Sequence, residues 1–230
     1  MFNDNPNAIL ETTFDSPWVA EGSEWPDFPA HIGQEQNFPK DSYIYQLGDQ
    51  DKRFFYLVEG RIKIMATNDQ GEEKTLSVLE PGNFFGETSF FDEHQRFASA
   101  VAVLDSKVRI LNFDDLSKML NEESEAVHYM FRSLCRKIRL LSMQVEDLTF
   151  WSIEKRLCRF LLKMLGDFNV QTKQGLALSI ILTDDQLGQH IGARREAVTK
   201  VLSKLKSQGI IKKENRRLYF PDLDLFKKYI

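Results

Sequence analysis

Cysteine is almost missing from this chain: two, Cys135 and Cys158, in 230 residues. Two thiols cannot build a disulfide framework and suit a reducing compartment, so a small secreted scaffold is excluded. Histidine is scarce as well. His31, His94, His128 and His190 are scattered without metal-ligand spacing, so no metal site is expected. Residues 43–113 hold no His-x-His pair, and no nucleophile motif or phosphate loop occurs, so an enzyme is not expected. Nowhere do 18 apolar residues run together, and the acidic N-terminus lacks a continuous apolar segment. Neither a membrane span nor a signal peptide is expected, which points to a cytoplasmic chain. Basic charge is short too. Against 30 Lys and Arg stand 34 Asp and Glu, a formal net charge of −4, and this argues at first against a nucleic-acid partner.

What is present changes that reading. With 42% hydrophobic and 28% charged residues, the chain is of soluble globular type and long enough for one large core or two smaller ones. Residues 1–120 hold 10 Lys and Arg against 21 Asp and Glu, whereas residues 121–230 hold 20 against 13. An acidic body carries a basic end, the pattern of a chain with a DNA-binding terminus.

The first 40 residues are polar and punctuated by Pro6, Pro17, Pro26, Pro29 and Pro39. Without a helical or strand period they read as an irregular arm whose Trp18, Trp25 and Phe28 dock on something. Short β-type runs follow at 43–47, 54–58, 61–66, 74–79, 98–103 and 108–112. Gly48, Gly60, Gly71 and Gly82 mark evenly spaced turns among them, as in a compact antiparallel barrel or roll. Beyond Asp114 the pattern is helical. Val127, Phe131, Leu134, Ile138, Leu141, Val145 and Leu148 recur at alternating steps of four and three. This narrow stripe is the seam of a two-stranded coiled coil, roughly 30 Å long. Cys135 lies beside it. A second helix is expected from near Ser152 to Gly166. The predicted domains are 1–120, 121–151 and 152–230: a β-roll with its arm, a dimerisation helix and a small α-rich domain.

Residues 184–203 carry the sharpest signal. With Gly192 as a turn between two helices, Gly188 falls at their closest crossing, and Leu187, Ile191, Val198 and Val201 fall at buried positions. That is the helix-turn-helix pattern. On the second helix Arg195, Glu196, Thr199 and Lys200 share the opposite face near the N-terminus, the part that meets base edges. Arg offers guanine a bidentate fork, and Glu accepts from cytosine. Ala193-Arg194 gives this helix no Ser, Thr or Asp cap. Residues 209–220 read as two short strands around a polar turn, the wing of a winged helix. From 187 to 217 nine Lys and Arg face two acids. Thr183, Arg194, Arg216 and Arg217 complete the expected contacts to double-stranded DNA.

A β-roll, a coiled-coil helix and a winged helix-turn-helix together resemble the cyclic-AMP receptor/FNR (CRP/FNR) family of bacterial transcription regulators, over about residues 35–225. Phe55 through Gly60 followed by Arg-Ile-Lys-Ile looks like the family's roll hairpin, Pro81 through Arg96 like its phosphate-binding cassette, and Gly188 through Leu205 like its DNA-reading element. The resemblance implies an α+β fold, a homodimer, and RNA polymerase as a further partner. In its cyclic-nucleotide branch Glu87 would bond the ribose and Arg96 the cyclic phosphate, with Gly86, Phe97, Leu141 and Ser142 completing the effector site. Three departures stand out. The cassette loop is about one residue short, Phe97 stands where Ser or Thr bonds phosphate, and Leu141 stands where Thr reads the base. Lys200 replaces an Arg of that branch and lacks its fork. The residues left, Arg96 among Phe84, Phe85, Phe90, Phe91 and Phe97, suit a small anionic, partly aromatic effector, and one branch of the family senses halogenated phenols. Cyclic AMP and a ligand-independent protein, whose vestigial cassette pairs Glu87 with Arg96, are the alternatives. The iron–sulfur branch is excluded for want of N-terminal cysteines.

Overall fold

The computed structural model describes residues 19–20, 28–122 and 125–230. Two compact units emerge, divided between Gln144 and Val145. The dividing line falls inside one long helix.

The first unit is the roll. Its strands are β1 (Val19–Ala20), β2 (Gln34–Phe38), β3 (Tyr43–Tyr45), β4 (Phe54–Glu59), β5 (Ile62–Thr67), β6 (Glu73–Leu79) and β7 (Phe84–Phe85). The short helix α1 (Glu87–Phe91), strands β8 (Ser99–Ala102) and β9 (Ser106–Leu111), and helices α2 (Phe113–Glu122) and α3 (Ala126–Phe150) follow. One sheet has the order β1-β6-β5-β8-β3 and the other β2-β9-β4-β7. All pairings are antiparallel except β1 on β6.

Strand β4 shows why the roll needs so many aromatics. Successive side chains of a strand point to opposite faces. Phe55 and Leu57 enter the roll interior with Ile44, Ile62, Leu79, Phe85, Ala100 and Val108. Phe54 and Tyr56 face a second core made with Ile32, Phe84, Leu111, Leu116 and Met119. A strand buried on both faces reads as a continuous apolar run, which Phe-Phe-Tyr-Leu-Val is.

The expectation of an irregular arm needs correction. Residues 34–38 form β2 and pair in register with β9. Their side chains are mostly exposed and polar, so nothing alternates to betray a strand. What fixes this stretch is Arg109, whose guanidinium donates to the carbonyls of Ala30 and Ile32 and pairs with Glu35 at 2.8 Å. Phe28 does dock, stacking on Tyr56 with ring centroids 4.3 Å apart. Trp18 and Trp25 lie outside the described residues.

The second unit opens with the end of α3 and continues with α4 (Ile153–Asp167), β10 (Asn169–Thr172), β11 (Gly175–Leu178), α5 (Asp184–Ile191), α6 (Arg195–Ser207), β12 (Lys212–Glu214), β13 (Arg217–Phe220) and α7 (Leu223–Lys227). Its antiparallel sheet runs β10-β11-β13-β12. Ser152 caps α4, accepting from the Lys155 amide, as its residue type favours. Leu157, Phe160 and Leu161 of α4, Leu187 and Ile191 of α5, and Val198, Leu202 and Leu205 of α6 are buried. Among the described residues, no helix is long and apolar enough to cross a membrane.

Candidate nucleic-acid interface and sensor cassette

The expected turn between α5 and α6 is present. Gly192 ends α5 at φ 65°, a left-handed conformation that glycine adopts without steric cost. Gly188 meets the closest approach: a Cβ there would lie 2.4 Å from the Ala193 carbonyl oxygen. Thr183 closes a capping box with Gln186 at the start of α5. Arg156 of α4, whose role the sequence did not reveal, donates to the Ile191 carbonyl at 2.7 Å and so braces the turn from behind. Burial lowers the pKa of its guanidinium, and Asp147 counters that with its charge.

Arg194 occupies the N-cap position of α6 without a side-chain cap, as its residue type implied. Arg195, Glu196, Thr199 and Lys200 are all exposed on the face opposite Val198, Leu202 and Leu205; Val201 is only half-buried. The four residues that spacing grouped together thus share one exposed face. Thr199, however, donates its hydroxyl to Asp184 at 2.8 Å, and Lys213 of the wing pairs with the same carboxylate at 2.7 Å. Burial works against the Asp184 charge, yet the hydrogen bonds from Lys213 and Thr199 outweigh it and hold the carboxyl below its ordinary range. Lys204 is likewise tied to Glu154 at 2.6 Å. Lys204 and Lys213, among the nine cations counted in this stretch, therefore already face carboxylates of their own chain, which tempers the charge available to phosphates.

At the tip of the wing Asn215 and Arg216 have φ of 49° and 66°. A two-residue hairpin of this hand favours Asn-Gly, and a Cβ at the second position costs on the order of 1 kcal/mol. Arg216 keeps its exposed cation at that cost. Arg216→Gly is expected to raise the melting temperature slightly while weakening DNA binding, with the salt dependence of log affinity falling by about one unit per chain. Titrations at several salt concentrations would show it, and an unchanged slope would remove Arg216 from the interface.

The sensor cassette is less orderly. Glu87 pairs with Lys137 of α3 at 3.0 Å, and Lys137 also donates to the Phe84 carbonyl at 2.6 Å. Arg96 turns inward, 2% exposed, donating to the carbonyls of Gly86 at 2.7 Å and Arg53 at 2.5 Å. Glu87 and Arg96 thus do not pair with each other, contrary to the vestigial pairing considered above. The reason is position: Lys137 reaches Glu87, while Asp51 lies beside Arg96. Phe97 is exposed, as are Leu141 and Ser142, whose hydroxyl returns to the Ile138 carbonyl. Of the six effector residues, Glu87 lines a shallow depression open to solvent, walled by Phe54, Phe84, Phe91, Met130, Ser133, Leu134 and Lys137. Phe85 instead stacks on Phe55 within the roll core. No pattern in the sequence tied Lys137 to this wall, because it sits on a helix 50 residues from Glu87.

Along α3 the stripe is bare. Val127, Phe131, Ile138, Leu141, Val145 and Leu148 are 45–64% exposed, and Leu134 is half-buried. Cys135 is exposed and Cys158 buried; burial pushes the Cys158 thiol up to about 12, so it is inert.

Two family models match the chain: a cyclic nucleotide-binding domain over residues 35–123 and a Crp-like helix-turn-helix domain over residues 155–229. The Cyclic AMP receptor protein of Thermus thermophilus is 30% identical over 179 residues, 78% of this chain and 80% of its own. The CRP-like cAMP-activated global transcriptional regulator of Mycobacterium tuberculosis (strain CDC 1551 / Oshkosh) is 27% identical over 189 residues, 82% of this chain and 84% of its own. Among solved structures, the c-di-GMP responsive global regulator CLP of Xanthomonas campestris aligns with a TM-score of 0.74 at 18% identity, covering 83% of this chain and 95% of that one. At that identity the likeness is one of fold.

Proposed function

Because the chain belongs to the CRP/FNR family of bacterial transcriptional regulators, we propose that it works as a homodimer that reads a palindromic operator and answers to a small anionic effector. The observation that carries the dimer is the apolar a/d stripe exposed along α3. A stripe of this kind on one helix is self-complementary, and a second copy related by a two-fold axis covers it. Two α6 helices then face DNA with two-fold symmetry, and operator half-sites about one helical turn apart follow from that geometry. Arg195, Glu196, Thr199 and Lys200 read bases in this scheme. Thr183, Arg194, Arg216 and Arg217 meet the backbone.

The effector reading rests on the depression beside Lys137. Its walls are aromatic and aliphatic, and Lys137 stands at the edge, where an anionic, partly apolar molecule would compete with Glu87 for its charge. It encloses no more room than one water takes, so a ligand would have to displace the exposed ring of Phe91. The two cyclic-AMP relatives favour that nucleotide instead, but the inward Arg96 and exposed Phe97 do not offer a phosphate its partners. The cytoplasm is the compartment of such a regulator, and RNA polymerase its further partner as an activator.

The test is selection of bound sequences from a random DNA pool by the full chain, with sedimentation of the selected complex. A palindromic motif bound by two chains is expected. A single asymmetric half-site bound by one chain would overturn the dimeric reading.

A further inference from the structure

The buried guanidinium of Arg96 raises a question of charge. A cation that is 2% exposed needs an anion or it shifts the balance of folding against itself. Its two terminal nitrogens are held by backbone carbonyls, and the Tyr45 and Phe55 rings lie 4.3 and 5.5 Å from its carbon. Carbonyl oxygens and ring faces supply partial charge only. A full negative charge is supplied by Asp51, which Arg96 shares with Arg53 and whose Oδ2 lies 3.7 Å from Arg96 Nη2.

The loop around Asp51 holds it in place. Arg53 grips it through Nε, at 2.9 and 3.0 Å to the two oxygens, and through its own amide at 3.0 Å. The loop itself is fastened to Arg96 by backbone bonds on both sides, Arg96 donating to the Asp49 carbonyl at 2.9 Å and Gly48 to the Arg96 carbonyl at 2.8 Å. On the cassette side there is no slack. A Cβ at Gly86 would fall 2.8 Å from the Phe55 ring and 2.9 Å from Arg96 Nη1. Burial opposes the charge on Asp51, yet the hydrogen bonds of Arg53 and the charges of Arg53 and Arg96 hold its carboxyl below the ordinary range. The carboxylate is therefore ionised at neutral pH.

We propose that Asp51 is a resident anion, standing at Arg96 where a ligand phosphate would stand, so that this cassette closes on itself and does not accept a cyclic nucleotide. The site beneath it is latent. Removing the carboxylate leaves a buried guanidinium on an aromatic platform, which is a receptor for a phosphate or another oxyanion. The inference rests on the cassette alone and stands or falls apart from the DNA-reading surface.

The experiment is calorimetry on the full chain, as wild type, Asp51→Asn and Asp51→Ala, with cyclic AMP and with inorganic phosphate as separate probes. Asp51→Asn keeps the shape and can still accept from Arg53, so it covers the case in which Asp51→Ala fails to fold. Wild type should give no heat with either probe at millimolar concentration. The variants should bind at least one of them tenfold or more above that limit, and their melting temperatures should rise with that probe while the wild type's does not. Adding Arg96→Ala to either variant should abolish the gain. Micromolar binding of cyclic AMP to the wild type would overturn the proposal, and so would folded variants that gain nothing.

Discussion

Leu141→Asp is expected to convert the protein to a monomer and to lower its affinity for a two-fold operator by about 10²–10⁴-fold. Leu141 is 51% exposed in its own chain, so replacing it removes little of that chain's core. At a d position of the stripe the two introduced carboxylates would face each other across the seam, unpaired and desolvated. Each monomer keeps its helix-turn-helix. What disappears is the tether that makes the second half-site contact effectively intramolecular, and that advantage accounts for the range quoted. Sedimentation equilibrium and binding to full and half operators check it together. A normal dimer with normal binding would count against the seam, whereas a monomer that still binds half-sites is the expected pattern. Ile138→Asp, three residues earlier on the same stripe and 64% exposed, should behave alike.

Arg195→Ala should cost roughly 1–3 kcal/mol at each half-site, so two such losses per dimer, and should relax specificity at one guanine. The side chain is exposed at the first turn of α6 and supplies no cap, so its removal leaves the fold intact. Its charge also helps hold Asp184 ionised, although the direct bonds there come from Lys213 and Thr199. The effect should therefore appear in base preference more than in stability. Selection from the same random pool separates the outcomes. An unchanged motif and affinity would mean that another face of α6 enters the groove. Thr199, whose hydroxyl has both Asp184 and the Arg195 carbonyl as acceptors within its own chain, should contribute less than its neighbours.

Sequence and tertiary structure divided the work along physical lines. The helix-turn-helix was legible because its constraints are local. Gly188 must lack a Cβ beneath the Ala193 carbonyl, Gly192 must turn left-handed, and apolar residues must return every three or four positions. The bare stripe on α3 was legible for the same reason: a 3.5-residue period is a property of one helix. The roll was readable in outline from Gly-marked turns, but β2 was not, since an exposed polar strand is defined by its backbone pairing with β9.

Charge was the quantity that the chain by itself fixed most firmly in total and least in place. An acidic first half and a basic second half can be counted, and the scarcity of cysteine and of metal-spaced histidine can be read at once. Which carboxylate meets which cation is decided by contacts across tens of residues. Arg96 finds Asp51 rather than Glu87, Glu87 finds Lys137, and Lys213 finds Asp184. Ion pairing depends on distance in space and on how far solvent is kept out, and spacing along the chain carries no record of either. The sequence alone determined the type of molecule; the fold decided which of its cations are paired with carboxylates of the same chain.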